Sequence, residues 1–352
     1  MNFKPWKDLF PSRFSQIIFV VYILLFVNQG ILVTASQGSD NKYDYNIITV
    51  VLLTEVLKLV ISSLLYCREN KPTELVREVI ERKSVLLLYF VPASLYCLYN
   101  NLAFVNLSSF DPTTYYLLLQ LRVVVTGILF QIIFGKVLSK KQWISLLILT
   151  AGCMLKQVNF NQETEDSQKN DTKSHSLVLS INTLFILIQI FCSCFAGVYN
   201  EYLLKHQGND VNIFTQNVFM YLDSIICNVA LLFIDGSITT VFLYENISKV
   251  FSFKVLIVML NNAAVGIVTS FFLKTLNSIL KTFASAIELV LTAVLSFLFF
   301  GIPVYLNTIL AVGTVMYATY LYSQNPVSSP PKKPASQELE SDNEELLQME
   351  EV

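Results

Sequence analysis

The sequence predicts an all-α membrane protein with ten transmembrane helices arranged as two inverted five-helix repeats. Three observations lead to this prediction: an apolar composition, ten apolar stretches of membrane-spanning length, and similarity between the two halves of the chain. Of the 352 residues, 54% are hydrophobic and only 14% are charged, whereas about a quarter of the residues in a soluble domain are charged. The net charge of −2 favours neither nucleic acid nor an acidic substrate as a partner.

The apolar stretches are long enough to cross a hydrocarbon core of about 30 Å as helices, which makes the lipid bilayer a partner of the whole chain. The first stretch is too long for a signal peptide and has no clear cleavage site. We expect one repeat over residues 14–158 and the other over 177–322, with a polar loop over 159–176 between them. The predicted spans are 14–35, 46–66, 84–107, 113–134, 142–158, 177–204, 211–234, 255–275, 279–300 and 303–322.

Lysine and arginine residues predict the orientation of these spans. With the amino terminus (1–13) in the cytosol, sixteen of the 24 basic residues fall on the cytosolic side and six on the opposite side, as the positive-inside rule requires. Both termini are then cytosolic, and the lumen receives the glycosylation sequons at Asn170 and Asn246. The tail over 323–352 is a Pro/Ser-rich linker followed by acidic residues, and we expect it to be disordered.

Two pairs of matching segments indicate the internal repeat. "YNNLAF" at 99–104 is matched by "LNNAAV" at 260–265, and "IIFGKVL" at the end of the fourth span is matched by "LFFGIPV" at the end of the ninth. Because five is an odd number, the second half must enter the membrane from the opposite side. Inverted repeats of this kind are typical of secondary transporters, which bind substrate near the midplane between the halves.

Arg122 is the most informative intramembrane charge, because it lies within the apolar segment "LLLQLRVVVTGILF". A charge at a helix centre costs about 2.5 to 3.5 kcal/mol on insertion scales, so it requires a partner or a water-filled cavity. Arg122 has no opposite charge three or four residues away. Two interpretations remain: anion binding in a wet cavity, or a structural ion pair with Glu288, its counterpart in the repeat alignment, or with Glu55.

Two other charge pairs have simpler interpretations. Glu55 and Lys58 are three residues apart on one helical face, which suits a structural pair or a ligand contact. Glu201 and Lys205 are four residues apart near a cytosolic helix end, which suits the same kind of pair, and snorkelling of Lys205 there needs no functional explanation.

Tyrosine and asparagine side chains cluster around Arg122 in the third and fourth predicted spans. They offer ring faces and amide groups that suit a stacked base, and equally a buried hydrogen-bond network or an interfacial aromatic belt. The residues are Tyr96, Tyr99, Asn100, Asn101, Tyr115 and Tyr116.

The sequence lacks the motifs that are typical of metal sites and of hydrolytic enzymes. The six cysteines have no CxxC spacing, the two histidines fall in predicted loops, and HExxH, GxSG-with-histidine and GxGD motifs are absent. The sequence therefore predicts no metal, no cofactor and no enzyme activity. An intramembrane enzyme and a receptor are the less favoured alternatives to a transporter.

Seven segments in order along the chain resemble the nucleotide-sugar transporter family. They are "TEVLKL", "YNNLAF", "YYLLLQLR", "SKKQWISLLILTAGCML", "AGVYNEYLLK", "QNVFMYLDS" and "NSILKTFASA". The resemblance implies a drug/metabolite-transporter fold in a Golgi or endoplasmic-reticulum membrane, and import of a nucleotide sugar in exchange for the nucleoside monophosphate. The segments are most similar to members that carry UDP-galactose, which implies a UDP-sugar and UMP as partners. CMP-sialic acid and UDP-N-acetylhexosamine are the alternatives, and association with itself or with a glycosyltransferase stays open.

The resemblance also implies which residues bind the substrate. Nucleobase and ribose fall near Tyr96, Asn100, Asn101 and Tyr115, and the phosphate-binding lysine of the family falls on Arg122, a departure from the family pattern. The remaining implied positions are Asn217, Tyr221, Asp223, Lys274 and Lys281, of which Lys281 is the second phosphate-site lysine. Tyr116, beside Tyr115, is a further candidate from the polar cluster and not from the resemblance. Asp223 stands where CMP-sialic acid transporters carry a small residue.

The charge count makes a testable prediction of topology. A tag at either terminus should be digested by protease added to sealed Golgi vesicles, whereas a tag inserted beside Asn170 should be protected, because only the latter faces the lumen. Immunoblotting of both tags measures the outcome. Protected termini together with a digested loop tag would contradict the assignment.

Overall fold

All regular secondary structure in the described part of the chain is helical. This computed structural model describes residues 9–10, 12–36, 45, 47–109, 115, 118–157, 181–208, 210–234, 236, 239, 243–300 and 306–324. The predicted luminal loop, with Asn170, and the tail after Gln324 lie outside these residues. The helices are α1 (Arg13–Ala35), α2 (Ile47–Cys67), α3 (Pro72–Glu81), α4 (Lys83–Ser109), α5 (Arg122–Phe134), α6 (Lys140–Gln157), α7 (Ile181–Tyr202), α8 (Ile213–Ile234), α9 (Tyr244–Val250), α10 (Phe253–Thr275), α11 (Ser278–Phe300) and α12 (Leu306–Ser323).

Five described helices, α1, α2, α7, α8 and α10, are long and apolar enough to cross a membrane, and α5 is a shorter apolar helix. The outer faces of the helices, α4 included, carry large exposed apolar side chains such as Leu64, Leu87 and Ile132, which are 65 to 70% exposed. In water such faces would be unfavourable, whereas hydrocarbon accepts them without cost. The protein is a multi-pass membrane protein.

The helices pack in a definite set of pairs. Helix α6 packs along α12, α4 along α7 and α8, α1 along α10 and α11, and α2 along α8 and α10, while α5 contacts α6, α7 and α11. The largest buried apolar cluster joins α1, α5, α6, α7, α10, α11 and α12 and includes Tyr22, Ile190 and Phe283. The ring centroids of Tyr22 and Phe272 lie 4.6 Å apart and join α1 to α10.

Several hydroxyl groups inside the helices are satisfied locally. The side chains of Thr54, Thr150 and Thr269 donate to the carbonyl four residues earlier, at 2.7, 2.9 and 2.7 Å. An unsatisfied hydroxyl is costly where no water is available, and this back-bonding avoids the cost without a second helix.

Helix α5 differs from the span predicted over 113–134. The helix begins at Arg122, and turns of three-residue spacing precede it, in which the Leu121 N–H donates to the Leu118 carbonyl at 3.0 Å and the Val123 N–H to the Gln120 carbonyl at 3.2 Å. Arg122 therefore lies in the first turn of a helix instead of inside an uninterrupted one. At its other end α5 stops at Gly135, whose φ of 61° suits glycine.

Two short helices occupy connections in which the sequence predicted none, α3 and α9. Helix α3 begins with Pro72 in its first turn and is docked through the Glu78 carboxylate. That carboxylate accepts hydrogen bonds from Tyr66 Oη at 3.0 Å and from Thr215 Oγ1 at 2.8 Å, so α3 joins the end of α2 to the start of α8.

The close packing of α6 on α12 predicts a specific sensitivity at Gly152. A Cβ atom on Gly152 would lie 3.0 Å from Thr314 Cβ, whereas one on Gly313 of α12 would meet nothing within 4 Å. Gly152→Val should therefore destabilise the protein by about 1 to 3 kcal/mol through overpacking and lower the melting temperature of the detergent-solubilised protein by several degrees.

Gly313→Val is the matched control, because it makes the same chemical change on the partner helix without the clash. A thermal fluorescence scan of both variants measures the difference. Equal melting temperatures for Gly152→Val and Gly313→Val would show that the α6–α12 contact is looser than described.

Candidate functional site

A cavity opens between α5, α7 and α11, with one wall residue from α6. It encloses about 640 Å³, including the space at its mouth. Most of its polar side chains come from α7 and α11, which face each other across it. The lining residues are Gln120, Arg122, Val123, Thr126, Cys153, Ser193, Cys194, Gly197, Val198, Ser278, Lys281, Thr282, Ser285 and Ala286.

Two cations, Arg122 and Lys281, line this cavity, each partly buried. Arg122 is contributed by α5 of the first half of the chain, and its carbonyl accepts hydrogen bonds from Thr126 Oγ1 at 2.7 Å and from Cys194 Sγ at 3.3 Å. The second of these bonds ties the start of α5 to α7. Lys281 is contributed by the first turn of α11 in the second half, so one site receives a positive charge from each half.

Neither cation has a carboxylate partner within ion-pairing distance among the described residues, whose ion pairs lie elsewhere. Glu55 is 2.6 Å from Lys58, and Glu201 is 2.6 Å from Lys205. Glu288, the other partner considered for Arg122, accepts a hydrogen bond from Thr292 Oγ1 at 3.2 Å. A structural ion pair of Arg122 with Glu288 or Glu55 is therefore not formed. Two like charges in a partly desolvated cavity are unfavourable together and favour an anion between them.

Tyr96 of α4 reaches the wall of the cavity. A Cβ atom on Gly197, a lining residue, would lie 3.6 Å from Tyr96 Oη, so this tyrosine approaches the α7 backbone where α7 has no side chain. Asn100, one turn later on α4, is exposed. Asn101 lies in the same helix, but its side chain is outside the described part of the structure, and Tyr116 lies outside it entirely.

Tyr115 is held by a residue that the sequence analysis missed. Its hydroxyl accepts a hydrogen bond from Gln189 Nε2 at 2.9 Å, and Gln189 Oε1 in turn accepts one from Asn106 Nδ2 at 2.7 Å. All three side chains are buried. An isolated glutamine in "LIQIF" was the available signal, because an intramembrane amide requires a hydrogen-bond partner.

The three predicted residues of α8 do not line the cavity, and one of them, Tyr221, lies beside Lys58. Asn217, Tyr221 and Asp223 are buried, and Lys58 Nζ lies 5.4 Å from the centroid of the Tyr221 ring. Asn217 Nδ2 and Asp223 Oδ2 have no hydrogen-bond partner among the described residues. Buried polar atoms are rarely left unpaired, so these atoms suit a ligand or ordered water.

Gly266 of α10 leaves space for Lys58 and Tyr221. A Cβ atom there would lie 2.9 Å from Lys58 Cε and 3.2 Å from Tyr221 Oη, so any side chain would displace Lys58. Lys274, also on α10, is partly buried and does not line the cavity.

Glu201 and Lys205 form an ion pair, as their spacing suggests, but the interpretation of Lys205 as a snorkelling residue is wrong. Its side chain is 15% exposed, because it bonds Glu201 and the Leu276 carbonyl.

Lys136 lies in the connection between α5 and α6. Its pKa is lowered mainly by burial and further by the nearby Lys205 ammonium.

The described residues contain no group of three or more histidine, cysteine or acidic side chains that could hold a metal ion.

Several known proteins are similar to this chain. The UDP-galactose transporter senju of Drosophila melanogaster is 58% identical over 92% of this chain and 89% of its own length. CMP-sialic acid transporter 1 of Oryza sativa subsp. japonica is 30% identical over 84% and 89% of the two chains, and that of Arabidopsis thaliana is 30% identical over 87% and 89%. A solved crystal structure with 14% identity superposes with a TM-score of 0.59 over 92% of this chain and 100% of its own, which is a likeness of fold alone.

The family model of the nucleotide-sugar transporters matches residues 12–323, nearly all of the helical part of the chain. This match and the identity to senju confirm the resemblance that the sequence segments suggested. The chain belongs to the nucleotide-sugar transporter family.

Proposed function

We propose that the protein imports UDP-galactose, and other UDP-sugars, into the Golgi lumen in exchange for UMP. One observation carries the proposal: Arg122 and Lys281, from different halves of the chain, line one cavity without a carboxylate partner among the described residues. A pyrophosphate or phosphate supplies the missing negative charge. The name of senju, 58% identical, supports UDP-galactose as cargo.

We further propose that the chain crosses the membrane ten times as two inverted repeats. Helices α1, α2, α4, α5 and α6 then correspond to α7, α8, α10, α11 and α12. The packing supports this correspondence, because the most extensive contacts come in matching pairs: α4 with α7 and α10 with α1, α4 with α8 and α10 with α2, α5 with α7 and α11 with α1, and α5 with α6 and α11 with α12. The pairs α2–α8, α6–α12 and α5–α11 map onto themselves.

In the proposed binding mode the phosphates lie between Arg122 and Lys281. The guanidinium of Arg122 offers a rigid fork that binds two phosphate oxygens at once, and Lys281 adds a point charge. Tyr96 at the cavity wall, with Asn100, stacks and reads the uracil base, with Asn101, Tyr115 and Tyr116 completing this end of the site. We place the rest of the ligand beyond the cavity, where Asn217, Tyr221 and Asp223 of α8, together with Lys274, would supply hydrogen bonds.

CMP-sialic acid is the second candidate, because two relatives at 30% identity carry that name. Asp223 disfavours it. A buried carboxylate on α8 would lie close to the carboxylate of sialic acid, and two like charges at short range in a partly desolvated site repel each other. A neutral galactose is free of this repulsion and can donate hydroxyl groups to Asp223 Oδ2.

Arg122 variants test the phosphate site. Arg122→Lys should retain part of the UDP-galactose uptake, because lysine keeps the charge but loses the bidentate geometry. Arg122→Gln and Arg122→Ala should lower uptake efficiency by about a hundredfold, since two hydrogen bonds to a charged group are lost. Uptake of labelled UDP-galactose into proteoliposomes measures this.

Arg77→Gln is the matched control, because Arg77 is an exposed arginine on the surface of α3, where it pairs with Glu81. It should transport normally. Normal transport by Arg122→Ala, in protein that reconstitutes at the usual level, would refute the anion-site interpretation.

The exchange mechanism predicts that UMP on one side of the membrane stimulates uptake of UDP-galactose from the other side. UDP-galactose carries about two negative charges, and UMP near neutral pH nearly two, because the second pKa of a phosphate monoester is about 6. When the site is empty, the two cations lack a counter-charge, and the protein should change slowly between its inward-open and outward-open states. A bound phosphate neutralises both cations and joins the halves, which should make this change faster. Proteoliposomes preloaded with UMP should therefore take up UDP-galactose much faster than empty ones.

Lys281→Ala should reduce this stimulated flux, and guanosine or cytidine monophosphate should stimulate less than UMP if Asn100 and Asn101 read uracil. Equal uptake into empty and preloaded vesicles, still saturable and still inhibited by excess UMP, would identify a uniporter and exclude the exchange mechanism.

A further inference from the structure

Glu201 is a nearly fully buried carboxylate that bonds two different elements. Its residue is 1% exposed. One oxygen, Oε1, accepts from Lys205 Nζ at 2.6 Å within the same helical segment. The other, Oε2, accepts from the backbone N–H of Ser278 at 2.6 Å and also from the Ser278 hydroxyl. Ser278 is the first residue of α11, so this carboxylate satisfies a free N–H at the start of a helix.

Lys205 completes a clamp on the same turn of the chain. It belongs to the π-helical turn Leu203–Gln207 that follows α7, and its ammonium also donates to the Leu276 carbonyl. The clamp, which is Glu201 with Lys205, therefore grips the α10–α11 connection on both sides of Asn277. Asn277 itself caps the helix, because its Oδ1 accepts from the Leu280 N–H at 2.8 Å and its carbonyl from the Lys281 N–H at 3.0 Å.

The element held in this way presents one of the two cations. Ser278 and Lys281 are three residues apart, so they share a face of α11, and both line the cavity that contains Arg122. A displacement of the first turn of α11 would carry Lys281 with it. A long lysine side chain on an otherwise free helix end would have many rotamers, and phosphate binding would have to restrict them.

We propose that Glu201 and Lys205 are positioning residues that fix the first turn of α11 and thereby hold Lys281 opposite Arg122. This inference rests on the proposed function. The bonds are directional: the carboxylate accepts from an N–H, and the ammonium donates to a carbonyl. Exchanging the two charges would keep an ion pair but would point a cation at the Ser278 N–H and an anion at the Leu276 carbonyl.

The test compares binding of UMP and of uridine to the purified full-length protein by calorimetry. These two ligands differ only in the phosphate, so the ratio of their affinities isolates the contribution of the phosphate site. Glu201→Gln should lower this ratio about tenfold, within the range of coupling between contacting residues, and leave uridine affinity unchanged. On a Lys281→Ala background, Glu201→Gln should cause no further loss of UMP affinity, because the clamp acts through Lys281.

Two more variants keep the test decisive. Lys205→Met removes the bond to Leu276 while keeping side-chain length, and it should lower the ratio in the same direction even if Glu201→Gln does not fold. The charge-swapped double variant, Glu201→Lys with Lys205→Glu, should remain defective. Glu81→Gln is the matched control, because Glu81 forms an ion pair with Arg77 at the same four-residue spacing on an exposed surface, and it should match wild type.

Three outcomes would overturn the clamp alone: equal loss of UMP and uridine affinity in Glu201→Gln and Lys205→Met, an undiminished effect of Glu201→Gln on the Lys281→Ala background, or recovery of the UMP-to-uridine ratio in the charge-swapped variant. Wild-type protein that binds UMP no more tightly than uridine would overturn the proposed phosphate site, and the clamp with it.

Discussion

The cost of a charge at membrane depth governs how this chain is arranged. A single charged side chain at a helix centre costs about 2.5 to 3.5 kcal/mol on insertion scales. In the described helices such charges are stabilised in two ways. Glu55 with Lys58, and Glu201 with Lys205, form ion pairs at 2.6 Å within their own helical segments. Arg122 and Lys281 instead face a cavity. Burial without a partner would be costly for both cations, and the cavity gives them access to water or to an anion.

The same electrostatics connects binding to movement in the proposed function. Arg122 and Lys281 come from opposite halves of the chain, so each half carries one part of the phosphate site. Without ligand the two charges repel each other, so the electrostatics of the cavity does not favour holding the halves together. With a phosphate between them the repulsion becomes attraction to a shared partner, and the halves can move as units around the ligand. A nucleotide sugar and a nucleoside monophosphate meet this requirement equally, which is the physical basis for exchange.

The bounds of several helices could be predicted from the positions and lengths of the apolar stretches. The spans predicted over 46–66 and 211–234 correspond to α2 (Ile47–Cys67) and α8 (Ile213–Ile234) within two residues, because polar residues mark both ends of these stretches. The start of α5 could not be found in this way. Residues 117–130 are apolar almost throughout, so hydropathy has no contrast that would reveal the tight turns before Arg122. Helix α3 was missed for the opposite reason, since its charged sequence resembles a loop.

The functional residues also differed in how clearly the local sequence marks them. Arg122 is conspicuous because a guanidinium interrupts an apolar segment, whereas Lys281 near a predicted span end gave no such signal and was found only through the family resemblance. The bond from Glu201 to Ser278 joins residues 77 positions apart, and no local pattern encodes it. Gln189 contacts Tyr115 across a similar separation. Such contacts depend on which helices pack together, and that information is tertiary.

A structure determined with UMP bound would test the central claim most directly, by locating the phosphorus atom. The account predicts phosphate oxygens within about 2.7 to 2.9 Å of both the Arg122 guanidinium and the Lys281 ammonium, the usual length of a charge-assisted hydrogen bond. A phosphate bound at Lys58 or Lys274, with Arg122 and Lys281 left unoccupied, would contradict it.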